Sequence, residues 1–220
     1  MLIVALVSQK GGSGKTTTAV NLAVAAHEAG STALVVDLDL QASATEWFRA
    51  RADKSLIVLP THPAGLAGVL ESARGQKADF VFIDTAAKTE SDTVAAVEAA
   101  DIVLIPCRPT IVDLRAVQNT IRICRFREKT PHVVLTQTEP QGTLTDEARA
   151  SLTKTGVEVL RETLGRRIAF SHSMIEGQGV LEFEPTGKAA LEVRALLKRV
   201  CRLDGKSSGH RVIKKAAAAS

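Results

Sequence analysis

The feature that most constrains this chain is the stretch Lys10-Gly11-Gly12-Ser13-Gly14-Lys15-Thr16-Thr17, which follows the apolar run 2–7 after only Ser8 and Gln9. A glycine-rich turn between an apolar strand and a helix lets successive backbone N–H groups converge on one anion. The helix N-terminus adds its positive end. Lys15 is spaced to reach the outer phosphates of a nucleotide, and the Thr16 hydroxyl to ligate Mg2+.

The rest of the chain continues the alternation that such a turn begins. Apolar runs at 2–8, 33–37, 80–84, 102–106 and 133–136, with a weaker one at 57–60, are continuous rather than alternating, as expected of strands covered on both faces. Helical patterns occupy 15–29, closed by Gly30, and 42–51. Another is expected to start near Asp113, with that residue as its cap and Val117, Ile121 and Cys124 buried. The last follows Pro185 and places Ala190, Val193, Leu197 and Val200 on one stripe. The expected fold class is α/β, a doubly wound and mostly parallel sheet flanked by helices. A length of 220 residues suits one domain over 1–203, followed by a basic segment, 204–220, expected to be disordered.

Composition narrows the classes further. Six Phe, one Trp and no Tyr leave Val, Leu, Ile and Ala to build the core. No apolar run reaches the roughly 18 residues that a membrane span requires, so a membrane is not an expected partner. Cys107, Cys124 and Cys201 show no metal or disulfide spacing, which fits a reducing cytoplasm. Four of the 28 basic residues and none of the 24 acids fall after Asp204, so the body is balanced and the end is basic. Such an end suits a polyanion, or simply solvent.

An ordinary phosphate loop carries glycine six residues before its lysine. Here Gln9 holds that place and Lys10 follows, too early to serve inside the loop but able to reach a phosphate held by a neighbouring subunit. The segment resembles the signature of the ParA/MinD group of deviant Walker A ATPases, and the resemblance extends over about residues 1–200. It implies ATP and Mg2+ as cofactors and a homodimer formed on ATP, with Lys10 crossing to the partner's nucleotide. Residues Lys10 to Thr17 (Lys10, Gly11, Gly12, Ser13, Gly14, Lys15, Thr16 and Thr17) would bind the phosphates.

Other segments carry the resemblance further. Asp37-Leu38-Asp39-Leu40-Gln41 is similar to the family's switch I, usually Asp-x-Asp-Pro-Gln, with Leu40 in the proline's place. By that match Asp39 would orient the attacking water and act with Lys10 and Lys15 in catalysis, while Asp37 would support the metal shell. A reading in which both acids cap the following helix stays open. Asp84 closes an apolar strand in the Walker B form and would hold Mg2+ together with Thr16. Ala86-Ala87-Lys88 stand where the family has two prolines and a glycine, which touches switch II. Thr136, Gln137 and Pro185 match positions that contact the adenine base.

The C-terminal quarter resembles the part of ParA-type proteins that meets DNA without reading its sequence. Arg166, Arg167, Lys188, Arg194, Lys198, Arg199 and Arg202 are the candidates, with Arg115, Arg122, Arg125, Arg127 and Lys129 as a second cluster. Taken singly, each also reads as a solvated helix face. No helix-turn-helix pattern precedes the first strand, as in the short form of the family. The implied function is a slowly hydrolysing ATP switch that binds non-specific DNA as a dimer. It would partition a plasmid or chromosome with a centromere-binding ParB-like adaptor, on the nucleoid in the cytoplasm. The alternatives are a MinD-like ATPase that positions a membrane-bound or other cargo, and an ATP-dependent carboxylate-activating synthetase.

Overall fold

The computed structural model describes residues 1–87, 89–141 and 143–205. Seven strands form one sheet: β1 (Leu2–Leu6), β2 (Ala33–Asp37), β3 (Ile57–Pro60), β4 (Phe80–Asp84), β5 (Ile102–Cys107), β6 (Pro131–Thr138) and β7 (Glu158–Gly165). Their order is β3-β2-β4-β1-β5-β6-β7, and every pairing is parallel. The helices are α1 (Lys15–Glu28), α2 (Ser43–Ala50), α3 (Leu66–Gly75), α4 (Glu90–Ala99), α5 (Ile111–Phe126), α6 (Leu144–Thr153), α7 (Ile168–Ile175), α8 (Val180–Phe183) and α9 (Lys188–Leu203).

The pleat of the sheet divides the core. On β1, Leu2, Val4 and Leu6 pack with residues of α1, α2, α8 and α9, whereas Ile3 and Ala5, with Val7 just beyond the strand, pack with α3, α4, α5 and α6. A strand buried on both faces in this way has no polar side, which is why its sequence shows no alternation. The first helix is also enclosed, buried at ten consecutive or near-consecutive positions from Lys15 to Ala26. Its Asn21, fully buried, donates to Thr17 O (2.8 Å) and accepts from Val180 N–H (2.8 Å). That pair of bonds ties the start of α1 to the start of α8.

Several sequence expectations need adjustment. The pattern finds β1 but runs past its end, because Val7 and Ser8 are buried as they leave the sheet. Edge strand β7 has the mixed sequence EVLRETLG, half open to solvent, and gives no apolar run to detect. Asp113 does not cap α5. The helix starts two residues earlier, and the Thr110 hydroxyl accepts the Asp113 N–H (3.3 Å) as N-cap. Val117, Ile121 and Cys124 are buried as the stripe requires, as are Ala190, Val193, Leu197 and Val200 of α9. All three cysteines are buried and free. Residues 206–220, most of the expected tail, lie outside the described residues, as does Lys88.

Candidate functional site

In a doubly wound sheet the ligand crevice opens at the carboxyl ends of the strands where the strand order reverses. Here that place is β1, flanked by β4 on one side and β5 on the other. The turn 9–14 leaves β1 at this point. Gly12 (φ 73°) and Gly14 (φ 95°) occupy the left-handed region, which explains glycine at both. Gly14 is the N-cap of α1, and no side chain caps the helix, so its first N–H groups stay directed into the crevice.

The acidic side of the crevice comes from register. Asp84 ends β4 opposite Leu6 of β1 on one flank and Asp37 of β2 on the other, so two carboxylates stand side by side below the loop. Asp84 is fully buried, and neither of its oxygens closes a hydrogen bond among the described residues. Burial pushes its carboxyl up to about 7. The nearby Thr16 hydroxyl and Lys15 pull it back, while Asp37 and Asp39 push it further up. Lys15 is itself buried, and desolvation holds its ammonium below the usual lysine range against the attraction of Asp84 and Asp39. Its Nζ reaches the Lys10 carbonyl at 3.4 Å.

A buried carboxylate without a donor is costly unless a cation meets it. Asp84 beside the Thr16 hydroxyl therefore fits Mg2+. Among the described residues no group of three or more His, Cys, Asp or Glu side chains could hold a metal ion alone. That suits an ion that binds through one or two protein groups and completes its shell from phosphates and water.

Asp37 is placed differently from Asp84. Its Oδ2 accepts the Thr45 N–H (2.9 Å) and hydroxyl (2.8 Å), and its Oδ1 accepts the Asp39 N–H (3.1 Å). It thus fixes the first turn of α2, as the capping alternative has it, while facing the site. Asp39 is half-buried and accepts the Gln41 N–H (2.9 Å). Leu40 is 91 % exposed, and Ala42 sits at φ 53° as N-cap of α2. A non-glycine residue there costs roughly 1 kcal/mol and marks the joint between this segment and its helix.

The other named residues divide. Thr136 and Gln137 reach the loop: the Thr136 hydroxyl donates to Ser13 O (2.8 Å) and the Gln137 amide to Gly12 O (3.0 Å). They also line a cavity of about 520 Å3 with Gly14, Thr16, Leu164, Arg166, Phe170 and Met174. Pro185 does not line it; exposed between α8 and α9, it gives its carbonyl to Arg194 (2.5 Å). Phe170 and Met174 were not singled out in the sequence, since β7, which leads into their helix, was not visible there.

The candidate DNA contacts are partly engaged already. Arg167 pairs with Glu192 (2.6 Å), Arg194 with Glu28 (3.5 Å), Arg166 with Glu139 (3.4 Å), and Arg199 with Glu158. Lys188, Arg194, Lys198 and Arg202 lie on the exposed side of α9.

The CobQ/CobB/MinD/ParA nucleotide binding domain model matches residues 4–180. The chain belongs to this family. Within the family it is of the ParA type, and proteins of this family use ATP and Mg2+. Maintenance of carboxysome distribution protein A of Gloeobacter kilaueensis is 34 % identical over 90 % of this chain and 91 % of that protein. The chromosome-partitioning ATPase Soj of Thermus thermophilus is 26 % identical over 90 % and 94 %. Among solved structures, the septum site-determining protein MinD of Pyrococcus horikoshii, complexed with Mg-ADP, superposes with a TM-score of 0.78 at 21 % identity, covering 93 % of this chain and 97 % of that one. The fold of this ParA-type chain is accordingly that of the MinD/ParA nucleotide-binding proteins. No helix among its described residues is long and apolar enough to cross a membrane.

Proposed function

We propose that this ParA-type chain is an ATP-driven dimeric switch that holds non-specific DNA in its ATP state and positions a cargo through a partner protein. The observation that carries the reading is the donor-less Asp84 carboxylate beside Thr16 and Lys15, under a glycine loop that Lys10 precedes. Mg2+ held by Thr16 and Asp84 would neutralise charge on the β- and γ-phosphates. Phosphoryl transfer needs placement and charge stabilisation more than a strong base, so a half-buried Asp39 suffices to orient water. Thr136, Gln137, Phe170 and Met174 give the adenine and ribose a half-apolar seat. The Lys10 ammonium makes no ion pair among the described residues, and it is the group that would cross to a second subunit's phosphates.

The basic face of α9 supports the DNA part of the reading, since scattered Lys and Arg contact phosphates without a base code. The cargo divides into two cases. A replicon handled with a centromere-binding adaptor is one, in line with the Soj relative. A protein assembly is the other, and the 34 % identity to a carboxysome distribution protein favours it.

The deciding experiment is binding to a random-sequence duplex with ATP, with ADP and without nucleotide, over a salt series. Binding that appears only with ATP and weakens steeply with salt supports the switch. Absence of DNA binding in all three states overturns the DNA part and leaves a nucleotide switch acting on protein alone.

A further inference from the structure

We propose that Arg108 is a phosphate-binding arginine supplied from the chain's own β5–α5 loop, acting on the terminal phosphate of the bound nucleotide. This rests on the ATP reading above and adds a residue to the same site. Arg108 follows β5 directly, on the flank of β1 opposite Asp84 and Asp37. Its Nε and Nη2 donate to Asp113 at 3.1 and 3.2 Å, a two-point hold on a carboxylate that is 2 % exposed. The Thr110 hydroxyl binds the same carboxylate. Two sides of the guanidinium are thereby fixed, with the side chain still 30 % open to solvent.

The third nitrogen is left over. Nη1 makes no hydrogen bond among the described residues, and a side-chain carbon placed on Gly12 would lie 3.9 Å from it. The guanidinium therefore lies beside the glycine loop, next to Gly12. A planar guanidinium held rigidly at one edge is suited to binding a phosphate at the other, because little further entropy is lost on contact. Neither Arg108 nor Gly12 lines the cavity that receives Phe170 and Met174, so both stand apart from the proposed seat of the base, as a contact to the terminal phosphate requires. With Lys15 inside the loop, Arg108 adds a second positive charge of the same chain at the triphosphate. An acid in the first turn of α5 would alone explain Asp113, but it does not explain an arginine held beside the loop.

The test compares affinities for ATPγS and ADP, measured by fluorescent-nucleotide displacement, in wild type and Arg108→Gln. Glutamine keeps one donor for Asp113 and removes the cation. One charge-assisted contact to the terminal phosphate predicts a loss of about tenfold or more for ATPγS, with less than about threefold for ADP. Should Arg108→Gln lose its fold, Asp113→Asn poses the same question by releasing the two-point hold, and must again weaken ATPγS selectively. Equal losses for the two nucleotides, or no loss, overturn the role of Arg108. If wild-type protein binds neither nucleotide, the ATP reading itself has failed, an outcome distinct from the others.

Discussion

At the scale of single residues the site is an arrangement of charges that burial has made expensive. Asp84 shows it most clearly, because its carboxyl is raised to about 7 in the folded chain against 3.8 for an exposed one. The folded state then holds that proton more tightly than the unfolded state. Nucleotide-free protein accordingly loses stability as the pH climbs from about 4 to about 7, by on the order of 4 kcal/mol if this group acted alone. In EDTA, differential scanning fluorimetry should show Tm falling over this range. Asp84→Asn should lack that fall, melt higher than wild type at pH 8, and gain little from Mg-ATP. A wild-type Tm that rises steadily from pH 5 to 8 while Asp84→Asn tracks it would remove the assignment. Asp84 was visible in the sequence as the acid that closes a continuous apolar run. Its missing donors were not, since they depend on what β1 and β2 place around it.

At the scale of elements, the link that matters runs from the segment 37–42 through α2 to residues 177–182, on the same face of the sheet as α1. Asp37 anchors the first turn of α2 through Thr45, and the end of α2 is held in turn. The Arg51 guanidinium, 2 % exposed, donates to both oxygens of Glu182 (2.8 and 2.5 Å) and to Gly177 O, and stacks over Trp47 at 5.2 Å. Trp47 donates to Gln178 O (3.0 Å). Glu182 also accepts the Gly179 N–H (2.8 Å), and Val180 N–H goes to Asn21 of the phosphate helix. Residues 177–182 thus brace α1 and α2 against each other. Removing one partner of a buried ion pair leaves the other unpaired, so Arg51→Ala should cost about 3–5 kcal/mol in urea unfolding. Arg51→Met with Glu182→Leu should recover much of that loss. A cost for Arg51→Ala below about 1 kcal/mol would mean that the brace is loose. None of this could be read from spacing, because Arg51 and Glu182 lie 131 positions apart and each alone reads as an ordinary surface charge.

At the scale of the whole molecule, ATP is expected to make one chain into two. Lys10→Ala should bind ATP within about threefold of wild type, yet stay monomeric in sedimentation velocity at concentrations where wild type with ATP dimerises, since a state is favoured only by ligands that bind it better. A wild type that stays monomeric with ATP would dismiss the crossing role of Lys10. The sequence by itself determined the layered α/β architecture, and it marked the glycine loop at 10–17 and the acids at 37, 39 and 84 as candidates. Those signals are local: a continuous apolar run, a glycine turn and a terminal acid occupy a few adjacent residues and are forced by backbone geometry. Tertiary structure alone decided the rest. It spent Asp37 on α2, turned Thr136 and Gln137 onto the loop carbonyls, left Pro185 outside the cavity, and brought Phe170 and Met174 into it. It also set Arg108 beside Gly12. These are contacts between strands and helices distant in sequence, fixed by strand order and register, and a polar side chain's partner follows from where the fold carries it.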